Sequence, residues 1–593
     1  MAKYTSFHFS PDNDRTILMP RHNKREPFVR TPFSMPNRKR AGFVADAVDK
    51  ANPYAPVNIG AFPQTLALGG KTYSYTVYVP EKMTSKGFGL LFFLPSGKTA
   101  AQSLEEGWKK ISDAHGIALL MMENEKWDKE DLDSAFDYAQ AVIEHQFQRR
   151  EVTDICESFI YPYGEDDAAA IAVSYALVYS ATYPAFAADG DCTVDPALID
   201  LLSTLPSDGI DGISKKDIPL PGVMIDRTGA AGYVAEYVRQ TLCSDDTDLC
   251  NSFAKVYRQN AYRGQNFVNE QAVGEFWYAD PSTLSGTDTW AMRERIVSFL
   301  MRFSRWGGYG NCHLRRVRLP QDIGVERVYK EIGGYRRFWD VYVPTYYRAT
   351  ECRKYPLVVA IHGFSCNASY FEQTSDWDRL AEERGFIVVF ANAYPQKGGL
   401  SQGYALPAWD TRGSGGIDDI PYFTELLDDT IARYSIDTER VYAVGHSNGG
   451  AATFMLMNKM PERFAAFGPT GCLAGTLAAE DDFLRHNVTS PVFNIVGEYD
   501  LFDCSLDSPE AAAWKSLELL CNLNKAKMDV ENLYENGRYH TIVCYDEQHR
   551  PIVRYCVMKG CPHTYTPGMA EMTWDDHLCH YSRKNDGTII YKG

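Results

Sequence analysis

Residues 441–460 read VYAVGHSNGGAATFMLMNKM, and this stretch decides the fold. The apolar and aromatic run at 441–444 predicts a buried strand, and the run from residue 451 predicts a helix. Between them, Gly445-His446-Ser447-Asn448-Gly449 fits the pattern G-x-S-x-G. A strand, a sharp glycine turn and a helix in this order hold a serine on a strained turn beside free N–H groups. We therefore predict that Ser447 is a nucleophile; the alternative is an ordinary glycine-rich turn between strand and helix.

A nucleophilic serine requires a base to accept its proton and an acid to orient that base. With this kind of turn the chain order is serine, acid, histidine. Residues 491–496 form a strand-like run, and Asp500 follows it closely. An aspartate just beyond a late parallel strand lies at the same edge of the sheet as Ser447. Asp500 is the predicted acid, with Glu498 and Asp503 as alternatives.

The predicted base is His563, which lies in a loop after the strand-like run 552–558. Such a loop lets an imidazole reach the serine. Four other histidines follow Asp500 in the chain: His540, His549, His577 and His580. His540 and His549 flank a predicted hairpin, and the last two lie in the closing helix, where packing or surface roles are expected.

The oxyanion hole is expected to combine two backbone N–H groups, that of Asn448 and one from the loop after an early strand. His362-Gly363-Phe364 follows the run 357–361, so the second donor is the N–H of Phe364. His362 is expected to support that loop. Three further residues are predicted to contact the substrate: His446, Trp409 and Tyr565.

Continuous apolar runs at 357–361, 386–391 and 441–445 are separated by helical segments. Runs without polar alternation are typical of a parallel sheet that helices cover on both faces. The sequence therefore predicts a doubly wound α/β domain around Ser447.

The chain also contains a diverged internal repeat. Residues 69–80 read GGKTYSYTVYVP and residues 333–344 read GGYRRFWDVYVP, at an offset of 264. In the first copy the turn reads Gly164-Glu165-Asp166-Asp167-Ala168, with an aspartate in place of the serine, and no histidine occurs between His145 and His313. We predict two tandem domains of one fold, the first degenerate and non-catalytic. A nucleophilic Asp166 is the alternative, which the missing histidine opposes.

The chain has 593 residues and a formal net charge of −17, which argues against a surface that generally binds nucleic acid. Residues 1–40 hold nine lysines and arginines against three acids, so this part carries +6 and the rest −23. The predicted boundaries are a basic extended arm at 1–51, a degenerate domain at 52–310 and a catalytic domain at 325–593. The arm is expected to lie across the acidic body or on a second subunit of a homo-oligomer; the alternative is a basic arm that binds nucleic acid or an acidic polymer.

No apolar run is long enough to span a membrane, and the first 40 residues contain no signal-peptide core. These observations predict a cytoplasmic protein without membrane contact. The fourteen cysteines include no CxxC pair, so no metal site is expected. Cys243 with Cys250, and Cys556 with Cys561, could form disulfides only if the protein were secreted.

The second copy resembles the esterase family that includes polyhydroxybutyrate depolymerase-like proteins and bacterial feruloyl and acetylxylan esterases. The resemblance extends over about 325–593 and rests on ordered motifs: VYVP at 341–344, IHGF at 361–364, Trp409, DDIPYF at 418–423, RVYAVGHSNGG at 440–450, GEYD at 497–500, GCPHTY at 560–565 and Trp574. It implies an α/β-hydrolase fold, with Ser447, Asp500 and His563 as the catalytic triad. Relatives often carry a small residue or cysteine where this chain has Phe364, so this side chain is expected to narrow the acyl pocket.

The sequence thus predicts a serine carboxylic-ester hydrolase that works through an acyl-enzyme and needs no cofactor. The expected substrates are small or oligomeric feruloyl (hydroxycinnamoyl), acetyl or short 3-hydroxyalkanoate esters. Two other functions remain open from sequence: a serine peptidase on the same fold, and a non-catalytic binding or scaffold protein.

Overall fold

The computed structural model describes residues 54, 58–83, 86–147, 153–204, 215–242, 244, 253–260, 272–282, 289–305, 314–318, 320–349, 352–396, 406–413, 416–475, 487–536, 539–566 and 568–593. Two compact units divide this chain: Ala55–Val317 belongs to the first, and Arg318–Gly593 together with Tyr54 belongs to the second. The predicted arm at 1–51 and the pair Cys243 and Cys250 lie outside the described residues.

The described part of the first unit contains eleven strands and seven α-helices. The strands are β1 (Gly60–Leu68), β2 (Lys71–Val79), β3 (Gly87–Phe93), β4 (Ile117–Glu123), β5 (Ile155–Asp166), β6 (Phe186–Gly190), β7 (Gly222–Asp226), β8 (Lys255–Arg258), β9 (Glu275–Ala279), β10 (Phe303–Arg305) and β11 (Leu314–Arg316). The helices are α1 (Ala100–Ser103), α2 (Lys109–His115), α3 (Leu132–Phe147), α4 (Ala169–Val178), α5 (Pro196–Thr204), α6 (Gly232–Thr241) and α7 (Thr289–Leu300).

The described part of the second unit contains fifteen strands and six α-helices. The strands are β12 (Glu326–Ile332), β13 (Tyr335–Tyr342), β14 (Tyr355–Ile361), β15 (Ile387–Ala391), β16 (Pro395–Gln396), β17 (Leu406–Pro407), β18 (Ile436–His446), β19 (Ala466–Thr470), β20 (Val492–Tyr499), β21 (Ala526–Lys527), β22 (Leu533–Asn536), β23 (Tyr539–Asp546), β24 (Val553–Pro562), β25 (Tyr581–Arg583) and β26 (Ile589–Tyr591). The helices are α8 (Ala368–Ser375), α9 (Trp377–Arg384), α10 (Ile420–Arg433), α11 (Asn448–Lys459), α12 (Ala512–Leu523) and α13 (Met569–Asp576).

Each unit is built on one large mixed sheet. The order in the first is β1-β2-β4-β3-β5-β6-β7-β9-β8, and in the second β12-β13-β15-β14-β18-β19-β20-β24-β23-β21, with β22 paired to β23. The central strands are parallel in both sheets, and the outer strands at each end are antiparallel. The α/β-hydrolase-type fold class predicted from the sequence is confirmed.

The two sheets share one strand order. If the short strands β16, β17, β21 and β22 are left aside and each sheet is numbered along its own chain, both read 1-2-4-3-5-6-7-9-8. Each has its strand-to-helix turn after the fifth strand, at Asp166 in one and Ser447 in the other. This agreement is what a duplicated fold would give; the descent of the two units from one ancestor stays a prediction.

The core explains why the apolar runs become central strands. Every residue of β14 and β15 is buried, because helices cover both faces of the second sheet. Separate apolar clusters lie on the two faces, one around Trp339 and Leu427 and the other around Trp377 and Trp574. Burying continuous apolar strands on both faces supplies the hydrophobic stabilisation that offsets the ordering entropy.

One buried ion pair lies within this core. Arg337 donates from Nη2 to Oδ1 of Asp419 over 2.8 Å, and neither side chain is more than 2% exposed. The guanidinium carbon also lies 4.0 Å from the ring centroid of Tyr422. The pair links strand β13 to the residue that precedes helix α10, so removing one partner would leave an uncompensated buried charge.

Several predicted boundaries differ from the structure. The strand predicted at 441–445 begins earlier, at Ile436, because Ile436 pairs with Tyr355 before a register shift that ends at the Leu357–Val441 pair. The run predicted at 357–361 lies in a strand that begins earlier, at Tyr355, and the run predicted at 386–391 is strand only from Ile387. Among the described residues, none of the helices combines the length and the hydropathy that a bilayer span requires.

Candidate active site

Ser447 lies on a strained turn between β18 and α11. Its φ and ψ are 59° and −120°, a conformation that side-chain-bearing residues rarely adopt. Two hydrogen bonds hold the turn: the Ser447 N–H donates to the carbonyl of Thr470 over 2.9 Å, and the Ala451 N–H donates to the carbonyl of Ser447 over 2.9 Å. The surrounding structure thus fixes this backbone conformation and directs the serine side chain.

The glycines of the turn are required for space. A Cβ on Gly445 would lie 2.3 Å from the carbonyl oxygen of Gly449, and a Cβ on Gly449 would lie 2.0 Å from that of Ile361. A Cβ on Gly450 would meet the carbonyl oxygen of Thr470 at 2.5 Å. These distances are far below van der Waals contact with rigid backbone, so only glycine lets helix α11 approach the neighbouring strand ends this closely.

The structure brings the three predicted triad side chains together. His563 Nε2 lies 2.7 Å from Ser447 Oγ, and His563 Nδ1 lies 2.6 Å from Asp500 Oδ1. Asp500 comes directly after β20 and His563 directly after β24, two adjacent parallel strands whose ends face the same edge of the sheet. The Nδ1–H can therefore donate to the carboxylate while Nε2 accepts the serine proton.

Asp500 is held as an anion although its side chain is only 1% exposed. Burial raises the pKa of Asp500, but the charge and hydrogen bond of His563 and the N–H of Leu501 outweigh it, so the pKa lies below its ordinary value. The Leu501 N–H donates to Oδ1 over 2.7 Å, and the Gly497 N–H donates to Oδ2 over 3.3 Å. A fixed carboxylate of this kind orients an imidazole and stabilises its protonated form.

The alternative acids have other partners. Glu498 forms an ion pair with Lys559 at 3.0 Å, and Asp503 accepts the N–H of Ser505 at 3.1 Å. In the structure it is Asp500 that contacts His563.

The other histidines after Asp500 lie away from the serine. His540 is within β23 and pairs with Glu535 at 3.0 Å, and His549 occupies the turn between β23 and β24. His577 is buried at the end of α13, where burial holds its pKa well below the ordinary value, and His580 contacts the carbonyl of Asp575 at 2.8 Å.

His446 stacks on His563. Their ring centroids are 4.9 Å apart at an interplanar angle of 31°, and His446 Nδ1 lies 3.2 Å from the hydroxyl of Thr470. That hydroxyl donates to the carbonyl of Gly445 over 3.0 Å, so it accepts the Nδ1–H of His446. Burial, and secondarily the charge of His563, lower the pKa of His446 to about 3. His446 is therefore neutral at physiological pH. Its ring covers one face of the His563 imidazole, which contacts Ser447.

Tyr565 and Gly471 adjoin the two stacked imidazoles. The Tyr565 ring lies 5.7 Å from that of His446 in an edge-to-face arrangement. A Cβ on Gly471 would lie 2.6 Å from Cε1 of His446 and 3.1 Å from Cε1 of His563. Gly471, which the sequence reasoning did not single out, provides the space for the stacked imidazoles.

The predicted oxyanion loop lies against the serine. A Cβ on Gly363 would be 3.3 Å from Ser447 Cβ and 3.9 Å from its Oγ, so this backbone borders the nucleophile. The N–H of Asn448 is in the first turn of α11, where an N–H has no partner within the helix. The loop bonds of the described residues engage the N–H groups of Ser365 and Cys366 and leave that of Phe364 unused.

Side chains that are distant in sequence hold this loop in place. Asn448 Oδ1 accepts the Trp409 N–H over 2.8 Å, and Asn448 Nδ2 donates to the Trp409 carbonyl over 3.1 Å. The indole N–H of Trp409 donates to the carbonyl of His362 over 2.9 Å. Trp409 is 1% exposed, so these contacts give it a role in positioning the loop; its predicted contact with substrate stays a prediction.

His362 supports the loop, as the sequence predicts. The Ala393 N–H donates to His362 Nε2 over 3.0 Å, and His362 Nδ1 lies 2.7 Å from the carbonyl of Gly363. Burial lowers the pKa of His362 to about 4. The ring is thus neutral, with its proton on Nδ1 and an acceptor at Nε2, which joins the loop to the end of β15.

The first unit has a similar turn with different side chains. Asp166 has a φ of 51°, close to that of Ser447, and a Cβ on Gly190 would lie 2.2 Å from the Asp166 carbonyl oxygen. The neighbouring Glu165 is buried and accepts hydrogen bonds from Trp108, Tyr163 and Arg293.

No imidazole is available to the turn of the first unit among its described residues. Asp280 follows β9 there, at the position where His563 follows β24. Asp167, which follows Asp166, bonds to Ser96 in the loop after β3. This turn resembles the Ser447 turn in its φ angle, and Asp167 ties it to the loop after β3. The predicted loss of catalysis in the first unit stays a prediction.

The described residues contain no group of histidine, cysteine or acidic side chains arranged to hold a metal ion. Cys556 and Cys561 are both buried, and no disulfide joins them.

Comparison with known proteins shows that part of the second unit is similar to esterases. Residues 339–493 match the family model described as Esterase PHB depolymerase. The chain is 32% identical over 142 residues to a bifunctional acetylxylan esterase/xylanase of Neocallimastix patriciarum, a match that covers 24% of this chain and 19% of that protein. It is 31% identical over 142 residues to feruloyl esterase B of Neurospora crassa, covering 23% of this chain and 47% of the relative.

A third relative is poly(3-hydroxyalkanoate) depolymerase C of Paucimonas lemoignei, which is 34% identical over 117 residues, covering 19% and 27% of the two chains. The chain thus spans less than half the length of these curated relatives. Among solved structures, an acetyl xylan esterase from Aspergillus awamori is similar with a TM-score of 0.32 and 18% identity, covering 42% of this chain and 98% of that one. Residues 339–493, in the C-terminal half of this chain, are thus similar to the family described as Esterase PHB depolymerase.

Proposed function

We propose that the second unit is a serine carboxylic-ester hydrolase that works through an acyl-enzyme. The observation that supports it most is the continuous chain from Asp500 to His563 to Ser447, with hydrogen-bond distances of 2.6 and 2.7 Å. Nucleophile, base and orienting acid at these distances are the requirement for acyl transfer by a serine.

In the first step His563 Nε2 takes the proton of Ser447 as Oγ attacks the ester carbonyl carbon. The carbonyl oxygen becomes an oxyanion, and the N–H groups of Phe364 and Asn448 stabilise it. Asp500 holds the imidazolium by its Nδ1–H. His563 then gives the proton to the leaving alcohol, and the C–O bond of the ester breaks to leave acyl-Ser447.

In the second step His563 removes a proton from water, which attacks the acyl carbon. A second oxyanion forms and collapses, the carboxylic acid leaves, and Ser447 regains its proton from His563. The neutral His446 keeps one face of His563 away from solvent. Because His446 carries no charge at neutral pH, it adds no charge repulsion against the imidazolium that forms in each step.

The proposed substrates are esters of feruloyl (hydroxycinnamoyl), acetyl or short 3-hydroxyalkanoyl groups. The matched relatives support this range, since their names include acetylxylan esterase, feruloyl esterase and poly(3-hydroxyalkanoate) depolymerase. Phe364, part of the loop that borders the nucleophile, is proposed to narrow the space for the acyl group.

The test is a hydrolysis screen of feruloyl, acetyl and 3-hydroxybutyryl esters with the full chain and with Ser447→Ala. We expect turnover of at least one ester class, and a loss of at least ~10³-fold in Ser447→Ala, because nucleophile and base act as one unit. Near-normal turnover by Ser447→Ala, or preferential cleavage of matched amides over esters, would contradict the proposal.

A further inference from the structure

Tyr54 precedes the whole first unit along the chain, yet it belongs to the second unit. Its half-buried ring packs against the apolar cluster around Trp377 and Trp574, on one face of the second sheet. The other described residues of this unit all come from the continuous stretch 318–593. The second unit therefore uses a tyrosine that its own continuous sequence does not contain.

The ring of Tyr54 makes edge-to-face contacts with two buried rings. Its centroid lies 4.7 Å from that of Phe338, at an interplanar angle of 78°, and 6.2 Å from that of Tyr394, at 70°. The Tyr54 hydroxyl donates to the carbonyl of Arg336 over 3.3 Å. Aromatic pairs favour this arrangement, so Tyr54 is a bridge between β13 and the segment that follows β15.

This segment, residues 392–394, holds the predicted oxyanion loop at both of its ends. Asn392 Oδ1 accepts the N–H of Ala368 over 2.9 Å, and the Ala393 N–H donates to His362 Nε2 over 3.0 Å. His362 begins the loop, and Ala368 is the first residue of helix α8 after it. The ring that packs on Tyr394 thus contacts the residue next to these two anchors.

The segment is also joined to β13 from within the core. The hydroxyl of Tyr422 accepts the N–H of Asn392 over 2.8 Å and donates to the carbonyl of Phe338 over 2.8 Å. Burial raises the pKa of Tyr54, while the charge of Arg337 and the side-chain amide of Asn392 oppose this rise. The amide that holds the start of α8 therefore lies beside the Tyr54 hydroxyl.

From these contacts we propose that Tyr54 is a positioning residue of the esterase site, which restrains residues 392–394 and through them the oxyanion loop beside Ser447. This inference rests on the esterase activity proposed above. The N–H of Phe364 lies in that loop, and such a donor is effective only when it is fixed where the oxyanion forms. Activity of the second unit thus depends on a residue that precedes the first unit in the chain.

Amide hydrogen exchange of the full chain, read by mass spectrometry, tests this restraint without a substrate. In Tyr54→Ala we expect the peptides that contain Ala368 and Ala393 to exchange at least about fivefold faster than in the parent, because local opening of the segment breaks both of their hydrogen bonds. Parental exchange in both peptides would overturn the proposal.

Tyr329→Ala is the matched control. Tyr329 lies on β12 and is 49% exposed, and among the described residues its ring packs on Phe338, at 5.6 Å, and not on Tyr394. This variant should exchange as the parent does, and equal effects of the two alanine variants would overturn the proposal. Tyr54→Phe keeps both ring contacts and should restore exchange to within about twofold of the parent. If Tyr54→Ala fails to fold, Tyr54→Leu takes its place, since leucine keeps apolar burial without the aromatic contacts.

Ester hydrolysis supplies the second measurement. Oxyanion donors act in the transition state, so Tyr54→Ala should lower kcat at least about fivefold while KM stays within about twofold. A parental kcat, or a rise of KM alone, would overturn the positioning role. If the parent itself hydrolyses no ester, the esterase proposal fails, whereas the exchange data still decide whether Tyr54 holds the loop; the two failures are therefore distinguishable.

Discussion

Replacing Gly449 by alanine tests whether close approach of helix α11 to the loop after β14 sets the geometry of the active site. The added Cβ would lie 2.0 Å from the carbonyl oxygen of Ile361 and 2.6 Å from that of His362. Both atoms are rigid backbone, so relief requires a shift of about 1 Å between the helix and the loop. That shift separates Ser447 from the N–H of Phe364.

The expected losses of activity and stability follow from these distances. A misplacement of about 1 Å typically costs about 10²-fold in rate, so kcat/KM of Gly449→Ala should fall by about that factor. Overpacking costs about 1–3 kcal/mol, and the better helix propensity of alanine offsets up to about 1 kcal/mol of it. We therefore expect a lower melting temperature for Gly449→Ala. We also expect a loss of kcat/KM larger than the fraction of unfolded protein at the assay temperature would explain.

The assay is steady-state hydrolysis of the best ester together with thermal unfolding. Gly232→Ala is the matched control, because the nearest heavy atom to its added Cβ would be the hydroxyl of Tyr278 at 3.9 Å, in the first unit. This control should retain full activity and equal or slightly higher stability. A Gly449→Ala variant with activity within about threefold of the parent would refute the steric reasoning.

Three further predictions concern the acid, the first unit and the core. Asp500→Asn should lower kcat by about 10³–10⁴-fold. The folded pKa of Asp500 lies below its unfolded value, so the ionised carboxylate stabilises the folded protein above about pH 4. The melting temperature of the variant should therefore lie furthest below that of the parent above about pH 4, and the difference should shrink as the pH falls through the folded pKa. Asp166→Ser in a Ser447→Ala background should show no ester hydrolysis, since none of the described histidines of the first unit is placed to activate a serine at this turn. Measurable turnover that a fluorophosphonate abolishes would contradict this. Arg337→Ala should lower the free energy of unfolding by about 3–5 kcal/mol in denaturant titrations, because it leaves Asp419 buried without its cation, and a change below about 1 kcal/mol would contradict that role.

Local sequence patterns predicted the fold class and the positions of the candidate triad. The predicted runs 357–361, 386–391 and 441–445 lack polar alternation and are buried in the structure, as expected for central parallel strands, and the glycine spacing around Ser447 follows from steric needs within a few residues. Asp500 and His563 could be chosen because each follows a strand, and adjacent parallel strands end at one edge of the sheet. The resemblance stated from the ordered motifs is confirmed by the family-model match over residues 339–493.

Contacts between distant residues could not be predicted in the same way. The hydrogen bonds between Asn448 and Trp409 join residues 39 positions apart, and the stacking of His446 on His563 joins residues more than a hundred apart. No periodic pattern in the sequence predicts such pairs, because these contacts depend on how loops from different strands converge. Gly471 illustrates this: its need for glycine comes from two imidazoles contributed by other elements.

The central claim, that Ser447 is the nucleophile activated by His563, is tested most directly by intact-protein and peptide mass spectrometry after reaction with a fluorophosphonate. The account predicts one adduct per chain, located on Ser447, absent in Ser447→Ala and formed at least about 10³-fold more slowly in His563→Ala. An adduct on another residue, or labelling of Ser447 at the parental rate in His563→Ala, would contradict it.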